Sequence, residues 1–472
     1  MSGIDSRIVI IGLPAIGKQT GASLSQLIWV TQAYLLASTV ALPIIGRVSD
    51  IAGRVRIYNI GFLIFTIGSA LASISFSPYE LIASRLVQGT GSAMLITNSA
   101  AILTDATPRK ELGTLLGINQ IAFRVGSVAG LTLSGVILAI TDWRALFYIN
   151  IPIGLFGTIW AHRRLREIST KDTERRIDWS GFVVFSSALT LLLLAVTLLS
   201  YGLSGVGLGL GLLVSGLALL VLFVVTELKH SAPLLDITLF KIKEFAAANV
   251  AQALFALVFS GAILILSFYL QIELGESALV AGISIIPLDA AFLLAGPISG
   301  HLSDKYGPRL LASSGLALGA IAFIVMATVT DSGQNYDRIV LGLVLLGVGS
   351  GMFTSPNTSA IMGSVPANRR GVASGFRATT FNASSTASYS IVVLIMTLAI
   401  PYSTFSALIR GTASQSIQAT VTAVARAEFL SGFKIAVLIL AAIEAIAIVP
   451  SLLRGKETLG QYSSQVHNEV ID

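Results

Sequence analysis

The sequence predicts an all-α polytopic membrane protein: two parallel six-helix halves with two further helices inserted between them, fourteen spans in all. The chain of 472 residues is 54% hydrophobic but only 11% charged. A soluble chain carries about 25% charged residues, so this one lacks the charge to cover a water-facing surface. Apolar runs also recur at lengths that cross a hydrocarbon core of about 30 Å. A soluble enzyme is therefore excluded, and an internal repeat supports the two halves.

Polar residues, prolines and glycines divide the apolar sequence into its spans. The predicted spans are 4–17, 26–46, 57–75, 79–103, 112–140, 145–162, 180–199, 206–226, 246–270, 279–299, 310–329, 339–362, 371–400 and 431–453. The first is unusual, because its length corresponds to only about 20 Å of helix. We therefore expect a truncated first span, with the true start of the chain lying upstream.

The spans define the domain organisation. Residues 1–162 form the N-terminal half, 163–179 a cytoplasmic linker, 180–226 the two inserted spans, 227–245 a second cytoplasmic linker, 246–453 the C-terminal half and 454–472 a cytoplasmic tail. Twenty of the 30 lysine and arginine residues lie in one set of loops and six in the opposite set. Because cytoplasmic loops carry the excess of basic residues, both termini are predicted to be cytoplasmic in a cell-membrane protein.

The chain contains an internal repeat. The segment from Gly46 to Gly53 recurs from Gly300 to Gly307, with a glycine, an aspartate and a second glycine at the same spacing. An offset of 258 residues aligns a further eight positions, which include a proline and a phenylalanine. Two copies in the same orientation predict parallel halves that alternate access to a site at their interface, as in secondary transporters.

Four segments together resemble the major facilitator superfamily, in particular its fourteen-span drug:proton antiporter branch. The resembling segments are Gly46 to Arg56 with its copy Gly300 to Arg309, Arg85 to Gly91 in span 4, Asp142 to Gly154 at span 6, and Asp5 to Pro14 in span 1. The span 5 antiporter motif is incomplete: Gly126, Gly130 and Gly135 are present, but Leu131 stands in place of the proline. This departure leaves the direction of transport open.

The resemblance implies a role for several residues. A cytoplasmic gating loop is implied for Gly46, Asp50, Gly53 and Arg54 and for the second copy, Gly300, Asp304, Gly307 and Arg309. Arg85 matches the span 4 arginine that the family associates with proton transfer, and its counterpart in the repeat is Leu343. Without the repeat, a plain basic loop explains the first segment equally well.

Ionisable residues inside the spans are costly and usually serve a cavity. The acids Asp289, Asp5 and Glu444 are the candidate proton carriers, in that order, and a buried ion pair with an arginine is the alternative for each. Arg7, Arg124 and Asn382 are the candidate substrate-cavity residues. Asp5 and Arg7 are two residues apart and point to different helix faces, so they do not pair with each other. The arginines either neutralise the acids or receive an anionic compound.

The function predicted first is proton-driven export of small amphipathic compounds, and the alternative is a uniporter, importer or exporter of an anionic metabolite. No Walker pattern occurs, so energy comes from an ion gradient and no cofactor or metal is expected. No H-E-x-x-H motif and no serine–histidine pair lies inside the spans, which argues against an intramembrane enzyme. The expected partners are the lipid bilayer, protons and a small-molecule substrate, without nucleic acid, and we expect a monomer.

Overall fold

A computed structural model of the chain describes residues 1–106, 109–168, 178–200, 203–230, 233–328, 336–366, 369–410 and 418–454, and all their regular secondary structure is helical. The α-helices are α1 (Ser2–Thr20), α2 (Leu24–Ala52), α3 (Arg54–Ser73), α4 (Pro78–Ala106), α5 (Arg109–Ile140), α6 (Ala145–Tyr148), α7 (Asn150–Arg164), α8 (Trp179–Leu199), α9 (Leu203–Glu227), α10 (Lys243–Phe268), α11 (Ala278–Ser284), α12 (Ile286–Tyr306), α13 (Pro308–Ala327), α14 (Tyr336–Gly363), α15 (Arg370–Met396), α16 (Tyr402–Arg410) and α17 (Gln418–Leu453). A 3₁₀ turn spans Ile237–Lys241 and a π turn spans Tyr269–Glu273.

Each predicted span falls on one helix or on two consecutive helices. The predicted sixth span is split into α6 and α7, and the tenth into α11 and α12. Within the described residues, eleven helical segments are long and apolar enough to cross a membrane by length and composition. The segments outside that set are α1, α4 and α15, which carry the buried or half-buried charges Asp5, Arg85 and Arg377.

The prediction of a short first span is wrong. Helix α1 has 19 residues and ends at Gly21, whose φ is 66° and whose N–H bonds to the carbonyl of Gly17 at 3.0 Å. At 1.5 Å per residue it is about 28 Å long, close to the thickness of a hydrocarbon core. The apolar run underestimates the helix because polar residues at both ends continue it.

Contacts group the chain into two units. The first comprises Met1–Ile237, Phe259–Ile286 and Ala378–Ala436, and the second comprises Thr238–Val258, Pro287–Arg377 and Val437–Asp472. In the first unit α4 packs on α2 and α3, α1 packs on α5, and α8 packs on α9. In the second unit α13 packs on α14. The predicted boundaries of the two six-helix halves stay a prediction.

The turn between helices has the same backbone in both copies of the repeat. Gly53 has φ 107° and separates α2 from α3, and Gly307 has φ 79° and separates α12 from α13. Each glycine N–H bonds at 2.9 Å to a serine carbonyl four residues earlier, Ser49 or Ser303. Positive φ is strained for a residue with a Cβ, which explains the glycine at both positions.

The helix packing of the repeat is also the same in both units. A Cβ on Gly89 of α4 would collide with the carbonyl oxygen of Tyr34 on α2. A Cβ on Gly347 of α14 would collide in the same way with the carbonyl oxygen of Leu288 on α12. The spacings of the sequence repeat make these residues equivalent. The two copies therefore share backbone turns and close helix contacts as well as sequence, because small residues let helices approach closely.

Candidate functional site

A buried ion pair lies in the first unit, between α1 and α4. Arg85 Nη1 is 2.6 Å from Asp5 Oδ2. Asp5 is 0% exposed and Arg85 is 1% exposed, so neither charge is solvated by bulk water. Arg85 Nε also donates to the carbonyl of Val30 on α2 at 3.1 Å, and its guanidinium carbon lies 4.2 Å from the centroid of the Tyr34 ring. The alternative of a buried ion pair thus describes Asp5.

Two amides complete the shell around the carboxylate. Gln88 Nε2 donates to Asp5 Oδ1 at 2.9 Å, and Asn150 Nδ2 donates to the same oxygen at 3.1 Å. Gln88 also accepts from Arg85 through Oε1 and reaches Ser69 Oγ through Nε2 at 2.8 Å. The carboxylate therefore receives bonds from both of its oxygens' neighbours, and α1, α4 and α7 meet at it. We call Asp5, Arg85, Gln88 and Asn150 the carboxylate cluster.

Local structure explains how these side chains meet. Arg85 and Gln88 are three residues apart on α4, so they lie on one face of that helix. Asn150 is the first residue of α7, directly after the break at Ile149 that separates α6 from α7. The sequence interpretation assigned no role to Gln88 or Asn150. Both stand in the span 4 and span 6 motifs, so motif membership was the available signal.

A second group of charges lies in the same unit, around Phe259 of α10. The guanidinium carbon of Arg7 is 5.7 Å from the centroid of this ring, and that of Arg124 is 6.0 Å from it. Arg7 is 6% exposed and Phe259 is 3% exposed. Asn382, the third predicted cavity residue, is half-buried on α15, and its carbonyl accepts from Thr386 Oγ1 at 2.6 Å.

The other two candidate acids belong to the second unit. Asp289 is buried in the first turn of α12. Glu444 is buried on α17, where its carboxylate lies against Gly319 of α13. Glu444 Oε2 has no hydrogen-bond partner among the described residues. Arg377, half-buried on α15, lies in this unit as well. The structure therefore brings Asp5 together with an arginine and places each remaining acid in a buried environment.

The first copy of the predicted gating loop holds a charge network. Arg54 bonds to Asp50 at 3.0 Å and to Asp105, near the end of α4, at 2.6 Å. The carboxylate of Glu167 accepts from the backbone N–H groups of Arg54 and Val55 at 3.0 and 3.1 Å. A carboxylate there is favoured by the dipole of α3 as well as by the bonds. The loop thus joins α2, α3, α4 and the segment after α7.

The second copy of the loop is described in part. Gly46 lies near Thr97 of α4, and its counterpart Gly300 lies near Ser355 of α14. Arg309 is half-buried at the start of α13. The side chain of Asp304 lies outside the described residues.

The span 5 glycines are packing residues of an unbroken helix. A Cβ on Gly130 would collide with the carbonyl of Ile4 on α1, and one on Gly135 would collide with Leu279 on α11. Gly126 is in ordinary contact distance of Ile4. Helix α5 runs for 32 residues without interruption, which agrees with the loss of the motif's proline.

Comparison with known proteins places this arrangement in a family. The Major Facilitator Superfamily matches residues 1–389. The riboflavin transporter RibZ of Clostridioides difficile is 32% identical over 384 residues, covering 81% of this chain and 83% of that protein. The multidrug resistance protein Stp of Mycobacterium tuberculosis is 30% identical over 401 residues, covering 82% and 72%. The crystal structure of an inward-facing bacterial homologue of the human lysosomal transporter Spinster has a TM-score of 0.69 at 16% identity and covers 97% of this chain and 96% of its own.

The family match, these relatives and the all-helical fold agree with one another. They indicate a transporter and not an enzyme, and they confirm the fold class that the composition and the repeat predict. This chain is a multi-pass membrane transporter of the Major Facilitator Superfamily.

Proposed function

We propose that the protein exports small amphipathic compounds across the cell membrane in exchange for protons, with both termini in the cytoplasm and fourteen spans. The observation that carries the proposal is the carboxylate cluster, in which polar residues of three separate sequence motifs converge on Asp5. The name of the relative Stp as a multidrug resistance protein supports drug export. The riboflavin transporter among the relatives keeps a single-metabolite cargo as the second candidate.

The cluster supplies a chemical basis for proton coupling. Ionised Asp5 holds the Arg85 guanidinium in a charge-assisted bond, which is among the strong hydrogen bonds of proteins. A proton on Asp5 removes the negative charge and with it most of the attraction between α1 and α4 at this point. A proton therefore has a differential free energy between states in which these helices are joined and states in which they are apart, which is the condition for shifting their populations.

The gating loop is proposed to act as a cytoplasmic latch. The Arg54 bonds to Asp50 and Asp105 join α2, α3 and α4 at one end of the helices. Exposed pairs of this kind contribute little each, typically about 0–1 kcal/mol, so the latch can open and close during turnover.

The proposal is tested in proteoliposomes that hold a pH gradient and an entrapped pH-sensitive dye. Ethidium, fluorescein and riboflavin are added separately, because the natural cargo is unidentified. The wild type should show a probe-triggered change of lumenal pH, and Asp5→Asn should lose it. Asp142→Asn is the matched control, since Asp142 is a half-exposed acid whose nearest basic atom, on Arg144, is 3.7 Å away. This control should behave like the wild type.

Two outcomes contradict the proposal. Probe movement without any change of lumenal pH indicates a uniporter. A pH response that persists in Asp5→Asn removes Asp5 from the coupling step, and the same assay on Asp289→Asn and Glu444→Gln then identifies the acid that carries the proton.

A further inference from the structure

We propose that Arg7, Phe259 and Arg124 form a binding site for an anionic aromatic compound, such as a carboxylate or sulfonate attached to a ring. The three side chains come from α1, α10 and α5, and all lie in the first unit. The two guanidinium carbons are 5.7 and 6.0 Å from the same ring centroid. The assignment concerns the cargo and rests on the proposed export function.

Helix packing holds the two arginines beside one ring. Gly126 and Gly130 of α5 lie against Ile4 of α1, and a Cβ on Gly130 would collide with the Ile4 carbonyl. Arg124 precedes the first of these glycines by two residues, and Arg7 follows Ile4 by three. The close approach of α1 and α5 therefore brings both arginines to Phe259. Near this contact, Ser6 Oγ and Ser127 Oγ are 3.4 Å apart, which places two hydroxyl groups between the same helices.

Charge determines the sign of the ligand. An arginine side chain stays protonated in proteins, so this group carries two positive charges in a buried, weakly screened environment. The carboxylate of Asp5 is engaged by Arg85, Gln88 and Asn150. An anion near Phe259 is attracted by both arginines, whereas a cation is repelled by both.

Geometry determines the class of the ligand. A guanidinium is planar and matches a carboxylate in a bidentate pair, which favours arginine where such groups are recognised. A ring carried by the ligand gains from stacking on an aromatic or guanidinium plane. The site therefore fits a flat compound with at least one acidic group, and it disfavours lipophilic cations of the same size.

The test is equilibrium binding to the purified transporter without a proton gradient, so that it stands apart from the test of proton exchange. Fluorescein and rhodamine 123 share a xanthene ring system but have opposite charge at pH 8, and fluorescence anisotropy reports the binding of each. The wild type should bind fluorescein more tightly than rhodamine 123. Arg7→Gln and Arg124→Gln should each weaken fluorescein binding roughly 10- to 100-fold, the loss of one charge-assisted hydrogen bond.

Three further variants keep the result interpretable. Arg144→Gln is the matched control, because Arg144 lies 4.6 Å from the Trp143 ring but outside this site, and it should leave both affinities unchanged. Arg7→Lys and Arg124→Lys keep the charge and should retain part of the fluorescein binding. Equal wild-type affinities for the two dyes, tighter binding of rhodamine 123, or unchanged fluorescein binding in both folded glutamine variants would each overturn the proposal. If a glutamine variant does not fold, the wild-type comparison of the two dyes decides.

Discussion

Replacing Arg85 by leucine should destabilise the transporter severely, whereas replacing Asp5 as well should restore most of the loss. Leucine is the natural choice because Leu343 occupies the equivalent position in the second copy of the repeat and is 0% exposed there. In Arg85→Leu the carboxylate of Asp5 stays buried with only the amides of Gln88 and Asn150 as partners. In the double variant with Asp5→Asn no charge is buried at this point.

The size of the effect follows from the geometry. The pair is 2.6 Å long, and its side chains are 2% and 0% exposed, so each ion depends on the other for compensation. Removing one partner of such a pair costs about 3–5 kcal/mol, while exchanging both partners for uncharged groups of similar volume is often close to neutral. We therefore expect a coupling energy of at least about 2 kcal/mol, within the range measured for contacting residues.

The assay is the free energy of unfolding of the purified protein in mixed micelles, measured for the wild type, both single variants and the double variant. Arg144→Leu is the control, since the Arg144 pair with Asp142 is 3.7 Å long, with side chains 28% and 48% exposed. This exposed pair should contribute about 0–1 kcal/mol. The reasoning is refuted if Arg85→Leu costs no more than the control, or if the two single effects add to within about 0.5 kcal/mol in the double variant.

Three further predictions concern other parts of the molecule. Asn150→Ala removes one donor to Asp5 and should lower the free energy of unfolding by about 1.5–3 kcal/mol, the range for a bond to a charged group; a change below 0.5 kcal/mol would show that this bond is dispensable. Gly89→Val should destabilise by about 1–3 kcal/mol through overlap with the α2 backbone, whereas Gly211→Val, with nothing within 4 Å of its Cβ position, should stay within about 0.5 kcal/mol; equal unfolding midpoints for the two would contradict this account. Asp50→Asn should lower the rate of probe transport more than it lowers membrane abundance measured by fluorescence-detected size exclusion, and an equal loss of both would make the loop merely structural.

Much of the fold was predictable because its causes are local in sequence. Low charge and long apolar runs determine the membrane class, since a spanning helix satisfies its own backbone hydrogen bonds. The repeated glycines at Gly53 and Gly307 predict matching turns, and both have positive φ. The first span was the exception, because polar residues such as Asp5 and Arg7 lie inside α1 and interrupt its apolar run without ending the helix.

The pairing of charges was open until helix packing was known. Sequence spacing alone excludes a pair between Asp5 and Arg7, because residues two apart lie on different faces of a helix. It does not select Arg85 over the other buried arginines, since Asp5 and Arg85 are 80 residues apart. That choice depends on the contact between α1 and α4, which no local pattern encodes. The amino-acid sequence by itself therefore determined that charges are buried in a membrane transporter. Only the tertiary structure decided that Asp5 is joined to Arg85, Gln88 and Asn150, while Arg7 and Arg124 share the ring of Phe259, because ion pairs and ring contacts form between helices that are distant along the chain.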